Sequence, residues 1–526
     1  MQRSSLWARL EGVGVTDLAV VGGGATGLGV ALDAALRGFS VVLLESHDFA
    51  SGTSSRSTKL LHGGVRYLAQ GRLSLVREAL AERSTVLHIA PHLAQPLPFV
   101  MPSYRRWEIP LYGTGLKLYD ALAGRARLGA TQWLSAPQTL SALPGLQPAG
   151  LRGGVSYWDA QFDDARLALA LARTAQRAGA LVLNHASVSG VSCLEPSADG
   201  APRLELQVTD ALQGRRTTVR ARAVVNATGV WVDRLREQAA ASLQGIPSRL
   251  VSPSQGVHVV VDRAFMPGSH ALLVPKTSDG RVLFAVPWMG ALVLGTTDTP
   301  REDVPREPQP FEEELDFILS EASRVLSRPV CRADIRSLWV GLRPLVAAHG
   351  TGGSDSTHAL SREHTIVADA NGMVTVTGGK WTTYRAMAED VLDTCFAQGL
   401  LPVREGGVTA HHALVGAPAA GAPTVALHQP PGPHLWGSEW PDVQACPGAD
   451  RDLGHGLTEA MVRFAARHEY ACTVEDVLAR RWRVLFVDAA RAREMAPSVA
   501  SLLQDETGLD PRLGAFDALA AAYLPG

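Results

Sequence analysis

Residues 17–27 of the chain, Asp-Leu-Ala-Val-Val-Gly-Gly-Gly-Ala-Thr-Gly, lead from a short apolar run into a glycine-rich turn. A helix-like stretch follows the turn up to Leu36, and Ser40–Glu45 then reads as a second buried strand. Strand, turn, helix and strand in so short a stretch predict the start of a parallel sheet with helices packed on it. This segment therefore decides the fold class, which we expect to be α/β.

The glycine pattern of this turn and the acidic residue after the second strand together predict a dinucleotide site. Glycines let the backbone approach a pyrophosphate at the positive end of a helix, and a carboxylate at the tip of the second strand accepts ribose hydroxyls. A tight turn that binds no ligand is the alternative, which the combined context makes the weaker interpretation. The residues concerned are Gly22, Gly24, Gly27 and Glu45.

NAD and FAD both use such a turn, and the rest of the chain separates them. After Glu45 the sequence enters the hydroxyl-rich loop 51–58 and does not begin a second helix–strand repeat. Much later, a strand ends in Asn-Ala-Thr-Gly at 226–229, and Gly378-Gly379 precedes another helix. Each feature alone is also explained as a plain loop or turn. Together, three stations so far apart in the chain favour one extended FAD over a compact nicotinamide domain.

Length and composition bound the class of protein. A chain of 526 residues exceeds what one hydrophobic core usually organises, so we expect two or three domains. Apolar residues make up 46% and charged residues 19%, which excludes a disordered, collagen-like or coiled-coil chain. The net charge of −2 gives no indication of nucleic-acid binding. Because the five cysteines are scattered without a CxxC pair, we predict no disulfide scaffold, no metal site and a reducing compartment.

Several stretches that are specific in sequence make the chain recognisable. Residues 17 to about 400, together with the C-terminal part, resemble the FAD-dependent glycerol-3-phosphate dehydrogenases of the aerobic, quinone-linked type. The stretches that carry the resemblance are GGGATG (22–27), SSRSTKLLHGGVRYL (54–68), VNATGVW (225–231), VPWMGALVLGTTDT (286–299), GLRPL (341–345), GGKWTTYR (378–385) and CTVEDVLARRWRVLF (472–486).

The resemblance implies a fold and a division into domains. The expected architecture is an α/β, Rossmann-like FAD-binding domain of the glutathione-reductase and D-amino-acid-oxidase type, an antiparallel-sheet substrate domain and a C-terminal all-α domain. The predicted FAD-binding parts are 1–85, 150–235 and 360–405, the substrate or cap parts are 86–149 and 236–359, and the helical domain is 406–526. Residues 415–436 are rich in Ala, Pro and Gly, which is typical of a linker.

The resemblance also implies the substrate, sn-glycerol 3-phosphate, and the residues that bind it and FAD. A small phosphate dianion needs several fixed cations, preferably arginine forks. Arg66 and Arg343 lie in apolar or glycine-rich settings where an unpaired charge would be costly, whereas Lys59 is equally well explained as a salt-bridge partner. The implied substrate-binding residues are Arg66, Tyr67, Arg343, Arg362, Lys380 and Thr382. The implied cofactor-binding residues are Gly22, Gly24, Gly27, Glu45, Thr53, Ser54, Thr58, Leu60, Val188, Gly229, Gly379 and Thr382.

Oxidation at C2 requires a hydride acceptor, flavin N5, and a base for the hydroxyl proton. His62 and His258 fall in matching motifs, although either is also explained as a core histidine. We expect His258 to be the base or hydroxyl-orienting group, Arg343 to stabilise developing alkoxide charge, and His62 to shape the flavin pocket. Gln255 stands where several relatives carry a base, which puts a phosphate contact there in question.

Residues 104–127 combine arginines, Lys117 and aromatic residues with leucines at helical spacing. Such a segment lies in an anionic membrane interface or packs as a helix on its own domain. The resemblance implies peripheral association with the inner face of the cytoplasmic membrane, ubiquinone as the electron acceptor, and allows a homodimer.

Other functions remain open on the sequence alone. A glycerol-3-phosphate oxidase would share the substrate half of the reaction and use dioxygen. An amine or amino-acid oxidase of the same fold, a flavoprotein that serves only as a binding module, and a nicotinamide dehydrogenase are the remaining alternatives.

Overall fold

The computed structural model describes residues 3–69, 71–105, 107–194, 203–240, 248–347 and 363–525. The strands are β1 Val15–Val21, β2 Val41–Leu44, β3 Leu60–Leu61, β4 Ala94–Ser103, β5 Gln132–Ser135, β6 Gly153–Phe162, β7 Leu181–Leu183, β8 Ala186–Cys193, β9 Leu204–Asp210, β10 Arg216–Asn226, β11 Val251–Asp262, β12 Ala271–Val274, β13 Leu283–Trp288, β14 Ala291–Gly295, β15 Thr299–Pro300, β16 Ser337–Val346, β17 His364–Ala368 and β18 Met373–Gly378.

The helices are α1 Arg3–Glu11, α2 Ala25–Leu36, α3 Val65–Ala69, α4 Leu73–Ile89, α5 Glu108–Ala123, α6 Ala136–Ala142, α7 Asp164–Arg177, α8 Val232–Ala240, α9 Glu312–Val325, α10 Tyr384–Ala397, α11 Trp440–Gln444, α12 Glu459–His468, α13 Val484–Val487, α14 Ala489–Thr507 and α15 Leu513–Ala521. A π-helix, Asp476–Arg481, lies between α12 and α13.

The first sheet has a parallel centre, in the order β18-β10-β1-β2-β7, with β17 antiparallel at the β18 edge. Helix α2 packs on this sheet. Its apolar residues, among them Leu28 and Ala31, share a buried core with Val391 of α10. Parallel strands place their carboxyl ends at one edge of the sheet, where ligands bind in open α/β folds. The tips of β2, β1, β10 and β18 therefore lie side by side, and the predicted α/β class is confirmed.

The second sheet is largely antiparallel and follows the order β15-β11-β14-β13-β12-β4-β6-β3, with β16 paired to β11 and β5 to β6. Only the β12–β4 pair is parallel among the strands described here. Strand β6 belongs to this sheet, although the predicted division assigns residues 150–235 to the FAD-binding part. Since β6 leads directly into α7, which packs on α2 of the first sheet, the chain crosses between the two sheets at Asp163. The division into domains stays a prediction.

The C-terminal part is helical, as the sequence predicts, but one helix differs. From the sequence, residues 483–495 are predicted to form a single helix, whereas the structure interrupts this stretch at Asp488. The Asp488 carboxylate accepts the backbone N–H of Arg491 at 3.0 Å and so begins α14, which continues to Thr507. The physical reason is that an aspartate side chain can accept the free N–H groups at the start of a helix, whereas the N–H groups of a helix interior already have backbone partners.

The predicted linker 415–436 is tied to the second sheet. The Gln95 side chain of β4 donates to the Val425 carbonyl at 2.6 Å and accepts the Leu427 N–H at 3.2 Å. Leu427 and Trp436 are buried in the core that the second sheet shares with the C-terminal helices. The linker composition therefore does not make this stretch a free tether.

Segment 104–127 contains a helix, α5, as its spacing predicts. Large apolar side chains are exposed on and beside it: Trp107 at 58%, Leu111 at 57%, Leu118 at 48% and Trp133 at 45%. Over the stretches that the structure describes, none of the helices combines the length and apolar character needed to cross a membrane.

Candidate active site

The turn between β1 and α2 is shaped by close backbone approach. Gly22 has a φ of +112°, and a Cβ added there would lie 2.4 Å from the Ala227 carbonyl oxygen. A Cβ at Gly27 would lie 2.0 Å from the carbonyl oxygen of Gly22. At Gly24 it would meet only the Ser54 hydroxyl, at 3.0 Å. Glycine is thus required at 22 and 27 for packing, and at 24 it leaves the first turn of α2 open towards the 53–58 loop.

Glu45, at the tip of β2, is held by backbone groups. Its carboxylate accepts the N–H of Gly23 at 2.7 Å and the N–H of His47 at 2.8 Å. Burial lowers the pKa of His47 to about 4, with Arg306 acting in the same direction. The carboxylate is therefore fixed before any ligand arrives, as a group that accepts ribose hydroxyls requires.

The loop 53–58 connects the helix start to the rest of the site. The Ser54 hydroxyl accepts the N–H of Ala25 at 3.0 Å, and the Ser54 carbonyl accepts Nε1 of Trp381 at 2.8 Å. Thr53 donates to the Leu342 carbonyl of β16 at 2.6 Å. One short loop thus joins α2, the second sheet and the stretch that precedes α10.

These elements enclose a cavity of about 660 Å³, within the range of small-molecule and cofactor sites. It follows the tips of β2, β1, β10 and β18. Of the predicted cofactor residues, those that line it are Gly22, Gly24, Glu45, Thr53, Ser54, Val188, Gly229 and Gly379, and the predicted substrate residue Lys380 lines it as well. A cavity lined by a helix N-terminus and by a fixed carboxylate at its β2 end fits FAD.

The β18 end of the cavity carries a cation. The Lys380 ammonium nitrogen lies 3.9 Å from the centre of the Tyr67 ring. Nearby, the hydroxyl of Thr382 accepts the N–H of His62 at 3.3 Å. Residues 62–67 and 379–382, which are far apart in sequence, are thereby brought together as the resemblance implies.

His258 lies on β11 and is stacked on Trp339 of β16, its cross-strand partner, with ring centres 5.2 Å apart. Its Nε2 and the Thr58 hydroxyl are 2.9 Å apart, whereas its buried Nδ1 has no hydrogen-bond partner among the described residues. Burial holds the pKa of His258 well below its usual value, and the charges of Lys59 and Arg343 act in the same direction. The imidazole is therefore neutral at neutral pH.

Arg343 is a paired arginine, which corrects one step of the sequence argument. It donates to Asp298 at 3.1 Å, to the Thr297 carbonyl at 2.9 Å and to the Thr296 hydroxyl at 3.1 Å. Its apolar sequence setting therefore does not by itself require a ligand, because a distant carboxylate satisfies the charge. Gln255 is buried, and its side chain contacts Glu314 and Arg301. The side chain at this position is therefore hydrogen-bonded within the protein.

Not every predicted site residue reaches the cavity. His258, Arg343, His62, Tyr67, Thr58 and Thr382 do not line it, although Pro344, next to Arg343, does. Gly27 lies inside α2, and the Leu60 side chain is buried in the core of the second sheet. Arg362 and the side chain of Arg66 lie outside the described residues, and their roles stay predictions.

The sequence argument did not identify a buried cluster beneath the 53–58 loop. Lys59 donates to Asp164 at 2.8 Å, which confirms it as a salt-bridge partner, and Asp164 also accepts Arg483 at 2.9 Å. All three side chains are fully buried, and burial lowers the pKa of Lys59 to about 7 while Asp164 opposes the shift. The only sequence signal was that Lys59 and Arg483 stand inside the specific motifs.

Comparison with known proteins places the chain in a family. A family model described as FAD dependent oxidoreductase matches residues 17–385, and one described as the C-terminal domain of alpha-glycerophosphate oxidase matches residues 409–512. Mitochondrial glycerol-3-phosphate dehydrogenase of Homo sapiens is 38% identical, over 95% of this chain and 72% of that protein. A probable mitochondrial glycerol-3-phosphate dehydrogenase of Caenorhabditis elegans is 39% identical, over 94% and 70%.

Among solved structures, the glycerol-3-phosphate dehydrogenase of Bacillus halodurans complexed with FAD superimposes with a TM-score of 0.77. The two chains are 28% identical, and the match covers 99% of this chain and 98% of that one. The cavity at the strand tips and these relatives together identify the cofactor as FAD. The chain is an FAD-dependent oxidoreductase and belongs to the glycerol-3-phosphate dehydrogenase family.

Proposed function

We propose that the protein oxidises sn-glycerol 3-phosphate to dihydroxyacetone phosphate and passes the two electrons to a membrane quinone, with ubiquinone as the acceptor. Bound FAD supplies the hydride acceptor, flavin N5, for the hydrogen leaving C2. The observation that carries the proposal is the position of Lys380, which lines the cofactor cavity and contacts Tyr67 at the same time. The names of the relatives support the choice of substrate.

Lys380 and Arg343 are proposed to bind and orient the substrate. A phosphate dianion at the β18 end would receive charge-assisted hydrogen bonds from Lys380 and from the hydroxyl of Tyr67. Arg343 keeps Asp298 as its partner and so has a fixed direction, which suits a group that stabilises negative charge developing on the substrate oxygen. Arg66 and Arg362 remain proposed phosphate ligands on the resemblance alone.

His258 is proposed to take the hydroxyl proton. A general base must be unprotonated before the reaction, and the depressed pKa of His258 meets that condition at neutral pH. The Thr58 contact at Nε2 fixes the ring, and stacking on Trp339 prevents it from rotating. His258 would hold the proton that the substrate hydroxyl loses.

The exposed residues on and beside α5 support a membrane-facing role. Trp107, Leu111 and Leu118 are exposed, and the Lys117 ammonium lies 3.9 Å from the centre of the Trp133 ring. Apolar and aromatic side chains beside a cation suit an anionic interface. We propose that this face contacts the inner side of the cytoplasmic membrane, and a homodimer is proposed on the resemblance alone.

The substrate is tested by adding glycerol 3-phosphate to the purified holoprotein without oxygen. Loss of the visible absorption band of the bound flavin, with no loss on adding glycerol or glycine, is the expected result. Bleaching by glycine instead would favour an amino-acid oxidase, and no bleaching by any of the three would favour a binding module. Either outcome overturns the proposal.

The acceptor is tested on the reduced protein by comparing a water-soluble ubiquinone analogue with dioxygen. Rapid reoxidation by the quinone with little hydrogen peroxide is expected. The reverse preference would make the protein a glycerol-3-phosphate oxidase.

Membrane contact is tested by flotation with vesicles of anionic and of neutral phospholipid. The double variant Trp107→Ser, Leu111→Ser should lose binding to the vesicles, and an exposed-site control, Val403→Ser, should keep it.

A further inference from the structure

We propose that Arg483 is a positioning residue, through which the C-terminal helical segment fixes the 53–59 loop against the FAD cavity. The inference rests on FAD binding and not on the identity of the substrate or of the electron acceptor. It assigns a task to a segment that contributes no residue to the lining of the cavity among the residues described.

Arg483 connects two parts of the chain that are 428 residues apart. One end of its guanidinium donates to the Ala479 carbonyl at 2.7 Å, within its own segment. The other end, Nη2, donates to the Ser55 carbonyl and to Asp164, both at 2.9 Å. The side chain is fully buried, and its guanidinium carbon lies 4.2 Å from the centre of the Phe486 ring. A fork of this kind fixes its acceptors in direction as well as in distance.

Asp164 extends this grip along the loop. Its Oδ2 accepts the Ser57 hydroxyl at 2.7 Å and the Lys59 ammonium at 2.8 Å. Lys59 in turn donates to the Ser55 carbonyl at 2.7 Å, the same oxygen that Arg483 contacts. Ser55, Ser57 and Lys59 are thus bound, directly or through one carboxylate, to Arg483.

Two residues directly beside these anchors, Ser54 and Thr58, are the ones that face the cofactor cavity and the proposed base. Ser54 lines the cavity and accepts the N–H of Ala25 at the start of α2. Thr58, on the other side, contacts Nε2 of His258 at 2.9 Å. A displacement of Ser55 or Ser57 would therefore move both a cavity-lining hydroxyl and the partner of the imidazole.

The test is the charge-conserving variant Arg483→Lys. An ammonium keeps the positive charge beside Asp164 but cannot span Asp164, the Ser55 carbonyl and the Ala479 carbonyl together. We expect FAD to bind about ten-fold more weakly, as the loss of one hydrogen bond to a charged group implies. The visible spectrum of the flavin that remains bound should shift, while the apoprotein keeps its circular dichroism. The measurements are an FAD titration by flavin fluorescence and absorption spectroscopy.

The matched control is Arg173→Lys. Arg173 is also a buried arginine between α7 and the C-terminal part, donating to Glu439 at 2.9 Å, but it does not contact the loop. It should leave FAD affinity and the flavin spectrum unchanged. An equal loss in both variants would show general loosening between the parts of the chain and overturn the proposal, as would unchanged affinity in Arg483→Lys.

A second variant decides the matter if Arg483→Lys does not fold. Ser57→Ala removes the loop's own hydroxyl from Asp164 and leaves every charge in place. FAD affinity about ten-fold weaker is expected, again the effect of one lost hydrogen bond to a charged group. Unchanged affinity and an unchanged flavin spectrum in this variant would overturn the proposal.

Discussion

The two ends of the cavity are built from different materials. At the β2 end, the Glu45 carboxylate is held by the backbone N–H groups of Gly23 and His47, and neighbouring glycines leave no room for a side chain. At the β18 end, long side chains hold one another, such as Lys380 on Tyr67. One end is fixed by backbone shape and the other by charge and stacking.

This difference separates binding of the cofactor from use of the substrate. Backbone geometry cannot be restored by a neighbouring residue, so damage at the β2 end should appear as lost FAD. Side-chain charge acts on whatever arrives later, so damage at the β18 end and around His258 should spare FAD and change turnover or substrate affinity. The following variants test that separation, beginning with the largest effect.

His258→Gln should slow flavin reduction by glycerol 3-phosphate about a thousand-fold, within the range of a lost general base. FAD content should not change. Because the pKa of His258 is depressed, the parent protein should keep its reduction rate as pH falls from 8 to the usual histidine value of 6.5. Stopped-flow absorbance across this range measures both.

The same depressed pKa makes the free energy of unfolding depend on pH. Below pH 6.5 this histidine is protonated in the unfolded chain but stays neutral in the folded protein. His258 therefore lowers the free energy of unfolding as pH falls. His88→Gln, at an exposed position on α4, is the matched control and should change neither rate nor stability. A reduction rate within five-fold of the parent for His258→Gln would assign the proton to another group.

Gly27→Ala should weaken FAD binding about a hundred-fold, because its Cβ would lie 2.0 Å from the Gly22 carbonyl oxygen and the turn must move. The measurement is the flavin-to-protein ratio after purification, followed by titration of the apoprotein. Gly14→Ala, where a Cβ meets nothing within 4 Å, should bind FAD like the parent. Full flavin content in Gly27→Ala would show that the turn does not define the β2 end.

Lys380→Met should raise the KM for glycerol 3-phosphate about thirty-fold, the value of a charge-assisted hydrogen bond to phosphate. FAD affinity should change far less, although Lys380 lines the same cavity. Steady-state kinetics and flavin titration are compared with Lys276→Met, at an exposed lysine. If FAD affinity fell more than substrate affinity, the proposed separation of the two ends would be wrong.

Glu45→Gln should have the smallest effect, about five-fold weaker FAD binding with unchanged turnover at saturating FAD. The amide oxygen can still accept the Gly23 N–H, but the amide NH2 group cannot accept the His47 N–H, so one backbone contact and the charge towards the ribose hydroxyls are lost. Fluorescence titration measures the change, with Glu11→Gln at an exposed site as control. A turnover defect at saturating FAD would contradict the assignment of Glu45 to binding alone.

Local patterns predicted the β2 end well. The strand, the glycine turn and the start of α2 at Ala25 all follow from residues within a few positions of one another, and the structure confirms them. The alternation of apolar residues in 204–208 and 217–225 also predicts antiparallel strands, and the structure has β9 and β10 there, paired antiparallel. The late pair Gly378-Gly379 was identified as a cofactor station and does line the cavity.

Side-chain partners were the part that the sequence could not supply. Arg343 finds Asp298, and Lys59 and Arg483 share Asp164, through contacts that span 45 to 319 positions. No local periodicity records such pairings, because they depend on the register of strands and on how the two sheets meet. A buried charge can be predicted to need a partner, but its identity waits for the fold.

The shared carboxylate of Asp164 has a consequence for how this protein can be rearranged. Its donors come from Ser57 and Lys59 near the start of the chain and from Arg483 of the C-terminal segment, so neither portion can be exchanged for a foreign one by cutting at 415–436. A graft that brought in another helical tail would leave the buried Asp164 side chain without the guanidinium of Arg483. The C-terminal helical segment therefore depends on the rest of this chain and cannot be transferred as an independent domain.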